Sequence, residues 1–445
     1  EAVSRTGRSR PFHRDADGLI PAEGAGFVAL ARLRDAVARN MPVLGVVRGI
    51  GLSNDGRGNG LLSPAREGQE RAMRLAYATA GVAPRTVSLV ECHAAGTPVG
   101  DAEEVRGMAR VFADGADVPI GSVKSNVGHL LASAGAGGLL KVLGAMRAGV
   151  RPATLGADEP LAELRGTPLR VLDAPEQWPP GPRRAAVSAF GFGGTNAHLV
   201  VDAWDGEEGR ASAPSGTRRL PGAPVAIVAV AVRAGEGAST QDFRRALLTG
   251  RRSGPASEIG VALPGLCFPP RAVEKALPQQ TLMLEVAREA ARDVVLPRER
   301  TMVLIGAGVD PENSRATARW RTPFWLEQTG GPTGPEPAAR VRDAFSAPMD
   351  AERVVGTLPN LLANRISTQL DLAGPGHTVS AEEASGPLAL DLAARAIRAS
   401  EVDAALVGAV DLSCEPVHRA ALRGLGLESA AGDGAVAVVL KRLAD

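Results

Sequence analysis

The sequence predicts an α/β fold of layered sheets and helices. Three observations carry that prediction. Short Val/Ile/Leu runs alternate along the chain with Ala/Leu/Arg/Glu stretches of helical period. The composition is globular, with 44% hydrophobic and 22% charged residues over 445 positions. That length suits two to four compact units or one large composite fold. Aromatic residues make up 3% of the chain, against 53 glycines. The core must therefore come from Ala, Val and Leu with close backbone approach.

The elements follow in order. V-L-G-V-V-R-G-I (43–50) predicts a strand, residues 68–80 a helix and T-V-S-L-V-E-C (86–92) a strand. The run at 130–143 is short and rich in small residues, which predicts a packed helix and no membrane span. A first domain, 1–204, closes with the strand-like A-H-L-V-V-D-A. Residues 205–223 are charged and rich in Gly, Ser and Pro, the composition of a linker. A second domain, 224–445, opens on the buried-strand pattern P-V-A-I-V-A-V-A-V. There 282–293 and 388–399 read as helices, and 301–307 and 403–410 as strands. One repeat stands out. Glu23–Asp35 and Asp433–Asp445 both place a Gly turn before an apolar strand ending in R-L-x-D. Two copies of one domain type explain it.

A net charge of +1 and the lack of a basic block give no support for nucleic-acid binding. The three cysteines, Cys92, Cys267 and Cys414, have neither zinc-site nor disulfide-scaffold spacing. With no signal-peptide pattern at the N-terminus, the expectation is a reduced, cytoplasmic protein. G-F-G-G and G-A-G-G lack the spacing and helix context of a dinucleotide fingerprint. No metal site is expected.

Three stretches carry candidate chemistry. In V-E-C-H-A-A-G-T-P-V-G-D-A-E-E (90–104) a strand delivers His93 to a Gly-containing turn. An imidazole there can act as a base or donate a hydrogen bond to a carbonyl. Taken alone, the stretch reads first as a satisfied structural histidine. In G-S-V-K-S-N-V-G-H-L-L-A-S-A-G-A-G-G (121–138), Lys124 and His129 bracket a turn, with His129 near the start of the small-residue helix. A histidine so placed stays neutral and can donate to developing enolate charge. In S-A-F-G-F-G-G-T-N-A-H (188–198), glycines around Phe192 imply a tight loop whose backbone N–H groups can face a ligand. The plain alternative is a turn between strands.

Together and in this order, the three motifs resemble the C-terminal half of a ketosynthase of the condensing-enzyme family. Such enzymes carry V-E-A-H-G-T-G-T before G-D-P-x-E, then K-S-N-x-G-H, then G-F-G-G-T-N-x-H. The opening R-P-F-H-R-D-A-D-G-L-I-P-A-E-G-A-G resembles R-P-F-D-x-x-x-D-G-x-x-x-G-E-G-A-G. The resemblance implies a thiolase-like, layered α/β/α/β/α fold. It implies that His93 and His129 are the catalytic histidines, that Lys124 supports them, and that the Phe192 backbone N–H is an oxyanion donor with its ring as a gate. Cys92 replaces the usual Ala. It neighbours His93 on an extended segment, so the two side chains should point to opposite faces.

The second domain resembles the N-terminal half of the same family. L-P-Q-Q-T-L-M-L-E-V-A-R-E-A is similar to D-P-Q-Q-R-x-x-L-E-x-x-W-E-A, and L-L-A-N-R-I-S-T-Q-L-D-L-A-G-P-G-H-T-V to x-x-A-N-R-I-S-Y-x-x-D-L-x-G-P-S-x-T-V. In a working ketosynthase D-T-A-C-S-S-S follows, with Cys as nucleophile. Here the register gives S-A-E-E-A-S-G, and Glu383 stands at the nucleophile position. A carboxylate forms no stable acyl-thioester there, so this half resembles a chain-length factor, the inactive partner in ketosynthase/chain-length-factor pairs. Cys267 and Cys414 match no nucleophile motif and read as structural.

The resemblance implies part of a β-ketoacyl synthase unit. That unit performs decarboxylative Claisen condensation of malonyl and acyl thioesters in polyketide or fatty acid synthesis. Its partners would be an acyl carrier protein and the remaining ketosynthase and chain-length-factor halves, in a dimer or pseudo-dimer. No cofactor is expected on the chain itself; phosphopantetheine arrives on the carrier protein. Alternatives are a non-catalytic scaffold that shapes a tunnel, or a malonyl-carrier-protein decarboxylase. The order of halves is expected from a fragment of a larger synthase, a permuted or swapped assembly, or halves on separate chains. By itself the chain is expected to be inactive in condensation.

Overall fold

The computed structural model describes residues 2–58, 60–206, 224–237, 239–251, 253–332, 334–427 and 432–445. Most of the expected 205–223 linker lies outside the described residues. The chain divides into two compact units, Glu1–Arg218 and Arg219–Asp445.

The first unit holds β1 (Val46–Asn54), β2 (Leu89–Glu91), β3 (Val118–Gly121), β4 (Val150–Arg151), β5 (Leu169–Val171), β6 (Glu176–Gln177), β7 (Arg184–Gly191) and β8 (Thr195–Asp202). Six of them form one sheet in the order β1-β8-β7-β2-β3-β5; β4 and β6 pair separately. β1, β8 and β7 run antiparallel, and β7, β2, β3 and β5 run parallel. The period-2 alternation of side chains gives the sheet two apolar faces. Val90 and Ala186 pack with Met73, Ala76, Val105 and Met108, from the helices Arg66–Ala80 and Pro98–Val111. Leu89, Ala185 and Val187 pack on the other side with Val142, Ala145 and Met146, from the helix Ala134–Ala148. Small residues permit close layers. A Cβ on Gly51 of β1 would sit 1.9 Å from the Ala72 carbonyl oxygen of the 66–80 helix. That helix stops at Gly81, which takes the left-handed conformation at φ 65°. Pro98 opens the next helix in its first turn, where no N–H is missed.

The second unit holds β9 (Val225–Ala234), β10 (Thr301–Ala307), β11 (Gly376–Val379), β12 (Ala404–Leu412) and β13 (Asp433–Arg442), in the order β11-β10-β12-β13-β9. β11, β10 and β12 are parallel; β13 runs antiparallel to both β12 and β9. β10 is buried along its whole length, and its alternate residues serve different layers. Met302 and Leu304 meet Ala389, Ala393 and Ile397 of the helix Ser385–Arg398. Val303 and Ile305 meet the helices Pro278–Ala291 and Leu361–Leu370. Truncating Ile305 to Ala would cost about 2–5 kcal/mol, because both faces are close-packed.

Two expectations need correction. The strand expected at 43–50 begins at Val46 and runs to Asn54. The two repeat copies differ: Asp433–Arg442 is an interior strand between β12 and β9, whereas residues 24–32 carry no ladder and lead into the helix Leu33–Ala38. An apolar pattern becomes a strand only beside other strands. Among the described residues of the first unit, nothing corresponds to the β12/β9 pair around residues 24–32.

Candidate active site

The site is built where β2 and the loop after β3 end on the same side of the first unit. Past Glu91 the chain turns at Cys92–Thr97, and buried carboxylates hold this turn from beneath. Glu104 accepts the His93 and Ala94 N–H groups with its two oxygens, at 2.8 and 2.7 Å. Asp101 accepts N–H groups from Ala95, Gly96 and Thr97 at 3.1, 3.2 and 3.2 Å, and from Phe12 at 2.9 Å. Burial pushes Glu104 up to about 7 and Asp101 up to about 6, against the pull of those donors. The two acids come from one face of the 98–111 helix, three residues apart.

His93 leaves this turn half-buried, and its Nδ1 accepts the Phe190 N–H at 3.3 Å. His129 is held by the N-terminal segment: its N–H donates to the Ile20 carbonyl at 2.7 Å, and its own carbonyl accepts the Ala22 N–H at 3.0 Å. Gly128 makes this possible. Its φ is +72°, and a Cβ there would lie 2.9 Å from both the Ala22 Cβ and the Ile20 oxygen. The Nδ1 of His129 accepts the Leu131 N–H at 3.0 Å. The two rings stand edge to face with centroids 5.4 Å apart.

Both imidazoles share one tautomer. Each Nδ1 is an acceptor from a backbone N–H, so the proton of each neutral ring sits on Nε2. Neutrality is enforced. Burial lowers His93 well below the usual histidine value, and the charges of Lys124 and His129 add to this. Burial, then Lys124, lowers His129 to about 4. Lys124 is itself buried, and its carbonyl accepts the Ser9 hydroxyl at 2.6 Å. Burial pulls the ammonium down, while Glu91, Glu104 and Asp101 hold it up. Glu91 pairs with Lys141 at 2.6 Å and accepts the Val123 N–H at 2.6 Å. The site is thus a pair of Nε2–H donors beside a buried cation.

The other predicted residues fall as follows. Phe192 lies at the tip of the tight turn Gly191–Gly194 between β7 and β8, its side chain 43% exposed. Cys92 turns away from His93, its sulfur 3.6 Å from that of Met108; burial pushes its thiol well up. In the second unit Glu383 sits in the single helical turn Glu382–Ala384, between β11 and the 385–398 helix, and is exposed. A strand, a single turn and a helix follow one another here, with the Glu383 carboxylate in the turn.

Sequence reading missed the residues that fix the turn at Phe192. The Asp55 N–H donates to the Gly194 carbonyl at 2.9 Å, and its carboxylate accepts Asn196 Nδ2 at 2.7 Å and the Ala65 N–H at 3.2 Å. Burial pushes Asp55 up to about 6. The available signal was the polar S-N-D-G directly after an apolar strand pattern. Among the described residues, His13, Asp15 and Glu159 are close enough to suggest a cation site. They do not fit one: His13 Nδ1 already accepts the Asp15 N–H at 2.9 Å, which leaves the ring proton on Nε2. Also among the described residues, no helix is long and apolar enough to cross a membrane.

Comparison with known proteins agrees with the motif order. Residues 44–158 match the beta-ketoacyl synthase C-terminal domain, 159–240 the ketoacyl-synthetase C-terminal extension, and 267–445 the beta-ketoacyl synthase N-terminal domain. A polyunsaturated fatty acid synthase polypeptide of Thraustochytrium sp. is 32% identical over 450 residues, covering 91% of this chain and 21% of that protein. Polyketide synthase GfsA of Streptomyces halstedii is 42% identical over 238 residues, covering 52% of this chain and 3% of that protein. The chain therefore spans about a fifth or less of the length of these two relatives. A solved structure, the PfaC keto synthase-chain length factor, matches with a TM-score of 0.85 at 29% identity, over 100% of this chain and 53% of that one. The chain belongs to the ketosynthase/chain-length-factor family of condensing enzymes, with a thiolase-like α/β layered fold in which a ketosynthase C-terminal half precedes a chain-length-factor-like N-terminal half.

Proposed function

We propose that the first unit supplies the histidine half of a β-ketoacyl synthase site, and that the second unit is a non-condensing, tunnel-shaping partner. The observation that carries this reading is the pair of neutral imidazoles 5.4 Å apart, each with its proton on the nitrogen away from a backbone donor. His93 and His129 donate their Nε2–H groups to the thioester oxygen of a malonyl unit. Loss of carbon dioxide places negative charge on that oxygen, and two fixed donors stabilise it more than they stabilise the starting carbonyl. The resulting carbanion attacks an acyl thioester held on a cysteine outside this chain. Lys124 acts through the histidines as a positioning residue and keeps both uncharged. The backbone of Phe192 serves the oxyanion of the condensation step, and its ring gates entry. The substrates arrive on the phosphopantetheine of an acyl carrier protein, and the complementary ketosynthase and chain-length-factor halves complete a dimer or pseudo-dimer. The three thiols, none in a disulfide, suit a cytoplasmic location.

For the second unit, the supporting observation is Glu383 in the turn before the 385–398 helix. A carboxylate there cannot carry an acyl chain as a thioester. The test is to supply malonyl- and acyl-carrier protein to the synthase unit containing this chain, and to follow product and the mass of each domain. Condensation with no acyl adduct on residues of this chain is expected. Acyl transfer to any cysteine of this chain would overturn the assignment. Carbon dioxide release without product, lost in His129→Ala, would instead make the unit a decarboxylase.

A further inference from the structure

Residues 24–32 repeat the pattern of β13 and have none of its surroundings. Counted from Glu23 and Asp433, Phe27 stands where β13 has Ala437, and Leu30 where it has Leu440. The two β13 residues are 0% and 2% exposed; Phe27 is 92% and Leu30 80% exposed. In β13, Ala435, Ala437 and Val439 pack with the helices Pro278–Ala291 and Leu361–Leu370, and Leu440 packs with the helix Ser385–Arg398. A strand buried on both faces is apolar at odd and even positions alike, as residues 25–31 are. Their backbone is equally bare. Among the described residues, no hydrogen bond reaches an N–H or C=O group from Ala25 to Ala31. Apolar side chains on two faces and open donors and acceptors on two edges are what an interior strand brings to a sheet.

The segment is fixed at the end nearest the candidate active site. Ile20 and Ala22 hold the His129 backbone between them, and the Ser133 hydroxyl donates to the Gly24 carbonyl at 3.0 Å. Gly24 and Gly26 keep the chain close to Leu130 and Ala136, where a Cβ on either glycine would lie at 3.0 Å. A second copy of this chain offers no slot for the strand, because β13 fills the place between β12 and β9. β13 lies in the stretch that matches the beta-ketoacyl synthase N-terminal domain, whereas the match to the C-terminal domain begins at residue 44, after residues 24–32. The occupant that fits is another N-terminal half, one whose equivalents of β12 and β9 have a gap between them.

We infer, on the reading that complementary halves complete the unit, that residues 24–32 are an interaction surface: they insert as an antiparallel strand into the sheet of another ketosynthase N-terminal half, and the insertion holds the segment that carries His129. Main-chain hydrogen bonds along two edges supply the affinity, and the alternating side chains set the register. Phe27 adds selectivity. The partner must leave room for a ring where the second unit leaves room for the methyl group of Ala437. The strand leads directly out of the residues that clamp His129, so pairing it restrains that clamp from the far side.

Amide hydrogen exchange in the synthase unit containing this chain, read by peptide mass, tests this. Residues 25–31 should be protected to within about tenfold of residues 435–441, whose ladder is the internal standard. In this chain alone they should exchange at the rate of unstructured polypeptide. Ala29→Pro removes a ladder donor and should speed exchange along 25–31 in the unit, and at the Ala22 and His129 amides, with β13 unchanged. The wild-type comparison stands by itself if Ala29→Pro does not fold. Exchange of 25–31 at the unstructured rate within the unit would overturn the proposal. Protection in this chain alone that rises with its concentration would overturn it too, since the occupant would then be a second copy. Unchanged Ala22 and His129 amides in a folded Ala29→Pro variant would refute the link to His129. Carbon dioxide release that survives His129→Ala while 25–31 stay protected would sink the histidine reading and support the pairing.

Discussion

Replacing Lys124 with methionine removes one buried charge and little volume. In the structure, burial is the main reason His129 titrates at about 4 rather than 6.5, and the Lys124 charge comes second. Lys124→Met should therefore raise His129 while burial still holds it below the ordinary value of 6.5. His93 should move the same way, because Lys124 also stands second among its causes. His198 provides the control: it is lowered to about 3 by burial alone, so it should stay put. NMR titration of the six histidines, labelled on the imidazole carbon, resolves this. The sign matters for function. A folded-state value near 4 keeps His129 neutral down to about pH 5, so a malonyl decarboxylation profile limited by this ring should fall on the acid side near 4, not near 6.5. A wild-type His129 titrating near 6.5 would refute the reasoning, as would a Lys124→Met shift that His198 shares.

Gly128→Ala should cost about 2–4 kcal/mol, from a backbone conformation that favours glycine and a clash with the segment holding His129. For a unit of this size that lowers Tm by roughly 5–15 °C, measurable by calorimetry. Cys92 should resist iodoacetamide in the native protein and react only after denaturation, because its thiol is buried and pushed up; native labelling would contradict the packing against Met108. Glu383→Cys should give a thiol that alkylates faster than Cys414, since it sits in the turn that opens the 385–398 helix. Equal rates would argue against reading 383 as the nucleophile position.

Much of the candidate site was legible in the sequence because its candidate residues are rare types placed at turns. Six histidines in 445 residues made His93 and His129 conspicuous, and glycines marked the turns that present them. β10 was legible over its full extent, since a strand buried on both faces is continuously apolar. What stayed hidden depends on neighbours distant in sequence. Glu104 and Asp101 look like ordinary helix-surface acids until the turn above them supplies five N–H donors. Asp55 lies 141 positions from the asparagine that it binds. Residues 24–32 have the pattern of β13 without its flanking strands.

The central claim is that this chain contributes two neutral Nε2–H donors to one oxygen. The direct measurement is carbon dioxide release from malonyl-carrier protein by the synthase unit containing this chain, for wild type, His93→Ala and His129→Ala, with thermal unfolding recorded alongside. Each variant should keep its fold and lose activity by about 10²–10³-fold, the cost of removing one oxyanion donor. Release within about threefold of wild type in either folded variant would contradict the account.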